Sequence, residues 1–291
     1  MATFGQSVFR QLRHRAGRVR LAQSAFLDWL ERRKHYPTII PPRHLRRAGK
    51  GISDYVAGGR RQIEWARKFA GLTPQSDILD IGCGDGRMAA AAVTFLDSGS
   101  YSSFEVNRSF VEFLQRKIGR KHPQFQFIHA DLYHSYYNPS GRFKNRDYVF
   151  PYEDGRFDVV FLNSIFTHFP PDEIASYLSE IGRVLKASGT VLSTYLIATE
   201  ESIAMDRQGL SEEDLTCGLD YLLNYRFENY WTRDEDIRER IVAVDYEWLV
   251  RAYTAAGLEI QRVLWGTWCG RGRDADNTQQ DMVIAKKCHV D

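Results

Sequence analysis

The sequence predicts an α/β protein built on a doubly wound, mostly parallel sheet with helices on both faces, and three observations carry that expectation. Strand and helix periods alternate through five units from about residue 60. A glycine-rich loop, Asp80-Ile81-Gly82-Cys83-Gly84-Asp85-Gly86-Arg87, follows the first strand. Acidic residues, Asp80, Glu105 and Asp131, stand at the ends of the first three strands. In open sheets of this kind ligands sit outside the carboxyl ends of the strands, so the residues after each strand are the ones to inspect.

Taken in order, Arg61 to Gly71 has a helical period closed by glycine, with a turn at Thr73-Pro74-Gln75. Ile78 to Ile81 is a short buried strand, and Met88 to Leu96 an alanine-rich helix. Tyr101 to Val106 is the second strand, Ser109 to Lys121 the second helix of the alternation, and Phe125 to His129 the third strand. The next 25 residues, Leu132 to Arg156, hold seven aromatics and several turn formers, the pattern of an irregular surface loop with a functional task. Phe157 to Asn163 is the most strand-like run. Asp172 to Lys186, opened by Pro170-Pro171, is a helix, and Thr190 to Leu196 the next strand. Residues 197–244 break the rhythm with 48 residues carrying twelve acidic and five basic side chains, an inserted cap. Asp245 to Ala256 is a helix ended by Gly257, and strands at Leu258 to Trp265 and Met282 to Lys286 follow.

Composition narrows the class. Hydrophobic residues at 43% with 26% charged exclude a disordered chain, and the longest uncharged runs, Val159 to Pro171 and Ala187 to Thr199, have 13 residues each, short of the roughly 18–20 a spanning helix needs. Residues 1–50 hold twelve Lys/Arg and two Asp/Glu, leaving 27 basic and 35 acidic in the rest. This basic N-terminal extension has Phe9, Leu12, Ala16, Val19, Phe26 and Leu30 at helical spacing, which suits packing on the main domain or peripheral contact with anionic lipid. Residues 51–291 form the main domain. Arginines stand where an export signal would need an apolar run. Cys83, Cys217, Cys269 and Cys288 lack CxxC spacing, so no disulfide framework or zinc site is expected, and the cytoplasm is the expected location.

Glycines at 82, 84 and 86 permit positive φ and let a ligand approach the backbone, while the helix opening at about Arg87 points free N–H groups at it. A nicotinamide fingerprint would need a third glycine at position 87, and a P-loop a Gly-Lys-Ser/Thr; both are absent. Asp80 would oppose a pyrophosphate but suits an ammonium. Glu105, 19 residues after Gly86, suits a ribose diol, and Asp131 an exocyclic amine. Together the three acids suit a positively charged nucleoside.

Asp80-Ile-Gly-Cys-Gly-Asp-Gly86, Glu105 in Phe-Glu-Val, Ala130-Asp131-Leu132, Phe157-Asp-Val-Val-Phe-Leu-Asn163 and Arg183-Val-Leu-Lys-Ala-Ser-Gly189 resemble the successive motifs of class I S-adenosylmethionine-dependent methyltransferases. The resemblance covers about residues 71–196 and implies a Rossmann-like sheet of seven strands with the last antiparallel. It implies S-adenosylmethionine as cofactor and S-adenosylhomocysteine as product. Gly82, Gly84 and Gly86 would wrap the methionine part, Asp80 would stand near its ammonium, Glu105 would hold the ribose, and Asp131 and Leu132 would border adenine. Cys83, Val106 and Asn163 complete that candidate lining, with Tyr55 and Arg60 folding over it. Lys186-Ala-Ser-Gly189 departs from the family's usual Lys-Pro-Gly-Gly at a turn.

Methyl transfer from a sulfonium is an in-line displacement that rests on alignment and exclusion of water. His168, just after the fourth strand, is the candidate general base by position and intrinsic pKa, its alternative being a hydrogen bond that closes the loop before Pro170. His134, Tyr136, Tyr137, Tyr195, Trp268 and Arg271 are candidate acceptor-side residues, with core packing as their alternative. Asn163-Ser164-Ile165-Phe166 replaces the Asn/Asp-Pro-Pro-Tyr/Phe of the family's base N-methyltransferases, and neither a nucleophilic cysteine nor a metal-ligand cluster follows the fourth strand. The expected function is transfer of a methyl group to an oxygen of a small-molecule acceptor, hydroxyl or carboxyl. A nucleic-acid methyltransferase using the basic N-terminus, or a cofactor-binding protein without turnover, are the alternatives; nucleic acid is the disfavoured partner.

Overall fold

The computed structural model describes residues 39–47, 51–135, 137–208, 221–272 and 278–288. Ile52–Ala70 forms α1, Ile78–Ile81 β1, Arg87–Phe95 α2, Tyr101–Glu105 β2, Arg108–Leu114 α3 and Phe125–His129 β3. Phe157–Leu162 is β4, Pro171–Val184 α4, Leu185–Tyr195 β5, Ile197–Ala198 β6 and Glu200–Gln208 α5. Tyr225–Arg226, Tyr230–Thr232 and Val242–Asp245 are β7, β8 and β9; Tyr246–Ala255 is α6, and Leu258–Leu264 and Asp281–Lys287 are β10 and β11.

Seven strands join in the order β10-β11-β5-β4-β1-β2-β3, with β11 antiparallel to both of its neighbours and every other pairing parallel. The order reverses between β1 and β4, so their carboxyl ends open a crevice at the switch point. Alternate residues of the central strands face opposite layers, as the pleat requires. Ile81, Val160 and Leu162 pack with Ile174, Tyr177 and Ile181 of α4 and with Leu249 and Tyr253 of α6. Ile78, Val159 and Phe161 pack with Ile63, Ala66, Met88, Ala92 and Leu114 of α1, α2 and α3.

Three elements differ from the sequence expectation. α1 begins nine residues before Arg61, because Ile52, Tyr55, Gly58, Gly59, Gln62, Ile63 and Ala66 bury one continuous helical face. Gly58-Gly59 marks the closest approach of α1 to α2: a Cβ on Gly59 would stand 2.3 Å from the Arg87 carbonyl oxygen. α3 stops at Leu114 and gives way to one π turn, Gln115–Gly119, where a helix to Lys121 is expected. β5 starts at Leu185 rather than Thr190, with an irregular register opposite Phe157 and Val159.

The stretch expected as an inserted cap, 197–244, carries a second, four-stranded sheet in the order β6-β9-β8-β7, whose β9 runs on to Asp245. Asp281, fully buried, fastens it to the main sheet: its oxygens accept from the N–H groups of Ile197 and Gly266 and from Trp268 Nε1, all at 2.7 Å. Of the basic N-terminal extension read as residues 1–50, only 39–47 are among the described residues, so its apolar stripe from Phe9 to Leu30 lies outside them, as does Cys217.

Candidate functional site

A crevice of about 320 Å³ opens at the carboxyl ends of β1, β2 and β4. One end is built by the glycine loop. Gly82, Gly84 and Gly86 have φ of 69°, 55° and 82°, left-handed values that side chains resist. A Cβ on Gly82 or Gly86 would stand 2.3 Å from Ile165 Cδ1 or 2.2 Å from Leu114 Cδ2, whereas one on Gly84 would meet nothing within 4 Å. The first and third glycines therefore serve turn and packing, and the middle one leaves the loop open to the crevice. From behind, the buried Tyr55 hydroxyl donates to the Asp85 carbonyl at 3.0 Å, and the Arg47 N–H donates to Asp85 Oδ2 at 2.8 Å.

Asp80, Cys83, Glu105, Val106, Leu132 and Asn163 all line this crevice. Glu105 bridges the loop and the turn after β2, accepting from the Gly84 N–H at 2.9 Å and the Asn107 N–H at 2.8 Å. Burial raises its pKa, opposed by those N–H groups. Asp80 accepts from the Tyr101 hydroxyl; burial pushes its carboxyl up to about 7, the Tyr101 bond opposes this, and the Glu105 charge adds to it. A buried carboxylate this reluctant to ionise gains most from a cation placed beside it.

Sequence reading missed other residues of the lining. Gln62 and Arg87 both face the crevice, and Gln62 Oε1 and Arg87 Nε are buried with no hydrogen-bond partner. An acceptor and a donor left open in one crevice match the ammonium and carboxylate of an α-amino acid. Arg87 is visible in sequence only as the residue that spoils a nicotinamide fingerprint, and Gln62 carries no signal because it arrives from α1. Arg47, from the N-terminal extension, also lines the crevice.

The other end of the crevice holds a ring of aromatic and imidazole groups. His134, Tyr137, His168, Phe169 and Tyr177 line it together with Asn145. His168 Nδ1 lies 3.2 Å from the Glu239 carbonyl oxygen and 3.0 Å from that of Arg240. Carbonyls only accept, so Nδ1 carries the proton and Nε2 keeps its lone pair, which takes the Tyr137 hydroxyl at 3.3 Å. Burial lowers the His168 pKa, opposed by the two carbonyls, and pushes that of His134 down to about 4, with the His168 charge adding to the effect. The two rings stand 5.9 Å apart. Asn145 donates to Glu173 at 3.0 Å, and burial drives the Glu173 carboxyl up to about 7.

Several expected site residues lie elsewhere. The Asp131 carboxylate accepts from Arg142 Nε at 2.6 Å and from Asn138 Nδ2 at 3.4 Å and does not line the crevice, although the next residue, Leu132, does. Tyr55 lies beneath the loop rather than over the crevice, and Arg60 is exposed on the outer face of α1 beside Glu64 and Trp65. Tyr195 is fully buried, stacked on Phe166 with its hydroxyl 2.9 Å from that of Tyr253, because the last residue of β5 turns into the α6 layer. Trp268 and Arg271 are held by Asp281 at the root of the cap. Gly86 shapes the loop without lining the crevice, and Tyr136 is outside the described residues. Among the described residues no His/Cys/Asp/Glu group could hold a metal ion, and no helix is long and apolar enough to cross a membrane.

Residues 78–189 match the family model described as a methyltransferase domain. A phthiotriol/phenolphthiotriol dimycocerosates methyltransferase of Mycobacterium ulcerans is 28% identical over 124 residues, 43% of this chain and 39% of that protein, so the chain spans about two-fifths of the curated relative's length. Among solved structures, the PH0226 protein of Pyrococcus horikoshii superposes with a TM-score of 0.52 at 13% identity, covering 88% of this chain and 98% of that one. The mitomycin 7-O-methyltransferase MmcR does so with 0.50 at 16%, covering 82% and 55%. At such identities the likeness shows the fold. The matched segment contributes β1 to β4, α4 and the start of β5, with the glycine loop and the acids after β1 and β2 set along one crevice, so residues 78–189 match a methyltransferase domain on a fold consistent with the class I S-adenosylmethionine-dependent methyltransferases.

Proposed function

We propose that the chain transfers a methyl group to a hydroxyl oxygen of a small-molecule acceptor, with S-adenosylmethionine bound at the glycine-loop end of the crevice and the acceptor at the His168 end. Asp80 and Gln62 would hold the cofactor's ammonium, Arg87 its carboxylate and Glu105 its ribose, while Val106 and Leu132 would flank adenine. When bound, the cofactor supplies an electrophilic methyl carbon on a sulfonium and leaves as S-adenosylhomocysteine.

The observation that supports this reading best is the single tautomer of His168. With Nδ1–H given to two backbone carbonyls, Nε2 is a lone pair on the crevice side, and burial keeps the ring neutral at neutral pH. Its role is to accept the hydroxyl proton as the oxygen becomes nucleophilic; the acceptor hydroxyl would displace that of Tyr137. A carboxylate acceptor needs no such base. Two neutral imidazoles and the rings of Phe169, Tyr137 and Tyr177 would also attract it weakly, so the hydroxyl class is favoured over the carboxyl class.

Calorimetry with S-adenosylhomocysteine tests the cofactor half. Asp80→Ala is expected to weaken binding about tenfold or more, the magnitude of a charge-assisted hydrogen bond; unchanged affinity would remove Asp80 from the site. The acceptor half is tested by screening small alcohols and phenols for methyl transfer, then by His168→Ala, expected to lower turnover by roughly 10²–10⁴.

A further inference from the structure

Resting on the reading of His168 as the base, we infer that Glu239 of the inserted cap is the residue that positions it, by clamping the cap turn whose carbonyls select the His168 tautomer. Glu239 is remote in sequence, 71 residues from His168, yet its backbone carbonyl and that of Arg240 are the two acceptors of His168 Nδ1–H. Its side chain holds that turn in place from the other direction. Glu239 Oε2 accepts from both the N–H of Ser135, at 3.2 Å, and its hydroxyl, at 2.8 Å. Ser135 sits between the crevice residue His134 and the long-loop segment that carries Tyr137, whose N–H donates to His134 Nδ1 at 3.2 Å and whose hydroxyl reaches His168 Nε2. One carboxylate therefore ties the cap to the loop, and both partners it ties address His168, one at each ring nitrogen.

The cap side of the clamp is preformed. Thr232 Oγ1 at the end of β8 donates to the Arg238 carbonyl at 3.0 Å, and Asp234 Oδ1 accepts from the N–H groups of Asp236 and Ile237 at 3.0 and 3.1 Å, shaping the chain into the Arg238–Arg240 turn. The carboxylate then fixes where this turn docks. Without it, Nδ1 loses its two acceptors, the proton is free to move to Nε2, and the lone pair points away from the crevice. His134 and Tyr137 face the His168 ring from the loop and the Glu239 and Arg240 carbonyls from the turn, those carbonyls raising its pKa against burial; the Glu239 charge acts on His134, and Glu173 of α4 is bonded to Asn145.

Glu239→Ala and Glu239→Gln in the full chain test this, because the glutamine oxygen can accept the same two Ser135 bonds. Long-range proton–nitrogen NMR of His168 reads the tautomer directly, without turnover. The alanine variant is expected to convert a single Nδ1–H ring into a mixture, to lower kcat about tenfold or more with KM for the cofactor within about twofold, and to move the acid limb of the pH profile upward as the ring becomes hydrated. The glutamine variant is expected to keep the tautomer and most of kcat. An unchanged His168 tautomer in Glu239→Ala, or a glutamine variant as impaired as the alanine one, overturns the inference. If Glu239→Ala fails to fold, Ser135→Ala, which removes the shorter of the two bonds, is read in the same way. Should His168→Ala retain normal turnover while Glu239→Ala still scrambles the tautomer, the base assignment fails and the clamp stands.

Discussion

Asp80 and the His134–His168 pair are opposite outcomes of one cause, since burial disfavours the charged form of any side chain. For Asp80, pushed up to about 7, the neutral acid is the dominant form below that pH, and binding an ammonium there must first expel a proton. Cofactor affinity is therefore expected to rise as pH rises from 6 toward 8 and to level off above, whereas in Asp80→Asn it should be lower and flat; calorimetry across that range decides. For His134, pushed down to about 4 from an ordinary 6.5, the unfolded chain takes up a proton before the folded one does. The stability contributed by the neutral buried ring is complete above about pH 6.5 and is lost between there and about pH 4, by an amount on the order of 2–3 kcal/mol. Thermal melts of the native chain and of His134→Asn as pH is lowered check this: the native curve should fall more steeply, and parallel curves would refute it.

Elements set these groups in place through a few close approaches. α2 begins at the glycine loop because Gly86 takes the left-handed conformation that turns the chain from β1 into the helix, with Leu114 of α3 filling the space where a side chain would sit. Gly86→Ala meets both penalties, a strained φ and a contact of 2.2 Å, and is expected to destabilise the fold by roughly 2–4 kcal/mol in chemical denaturation. Gly84→Ala at φ 55°, with nothing within 4 Å, carries only the backbone cost of about 1–2 kcal/mol and is expected to act chiefly on cofactor binding. Equal losses of stability in the two variants would show that loop strain, and not packing against α3, governs this turn. The Pro170–Pro171 pair opens α4 with Pro171 at the first helical turn, where the missing N–H costs nothing, and so fixes the exit of the loop that carries His168.

On the scale of the whole molecule, Asp281 joins the four-stranded sheet to the seven-stranded one. Its buried carboxylate serves four donors, the N–H of Ile197 in β6, the N–H of Gly266 two residues past β10, Trp268 Nε1 and the Arg271 guanidinium, so Asp281→Ala strands the first three, which it holds at 2.7 Å, and is expected to cost at least about 3 kcal/mol and to loosen the 197–244 stretch; proteolysis there should accelerate with the melting transition lowered. The same distinction between local and distant partners separates what was legible in the sequence from what was not. Alternating periods, the glycine loop and the acids Asp80 and Glu105 are written in short runs of chain, where φ freedom and strand length dictate geometry locally, and they were enough to indicate the sheet, the strand ends to inspect and the resemblance to methyltransferases. Tyr195, Trp268 and Arg271 point away from the crevice for the converse reason: Tyr195 at the end of β5, and Trp268 and Arg271 in the loop after β10, are oriented by distant partners, Tyr253 and Asp281. Gln62, Arg87 and Asn145 join the crevice from three separate parts of the chain, Glu239 reaches it only through its carbonyl on His168, and the Asp131 carboxylate pairs with an arginine eleven residues away. Local sequence therefore determined the scaffold and the glycine-loop end of the crevice, because backbone conformation is set by near neighbours; tertiary structure alone decided the His168 end, because a side chain's charge, tautomer and direction are set by whichever distant groups the fold brings within a hydrogen bond of it.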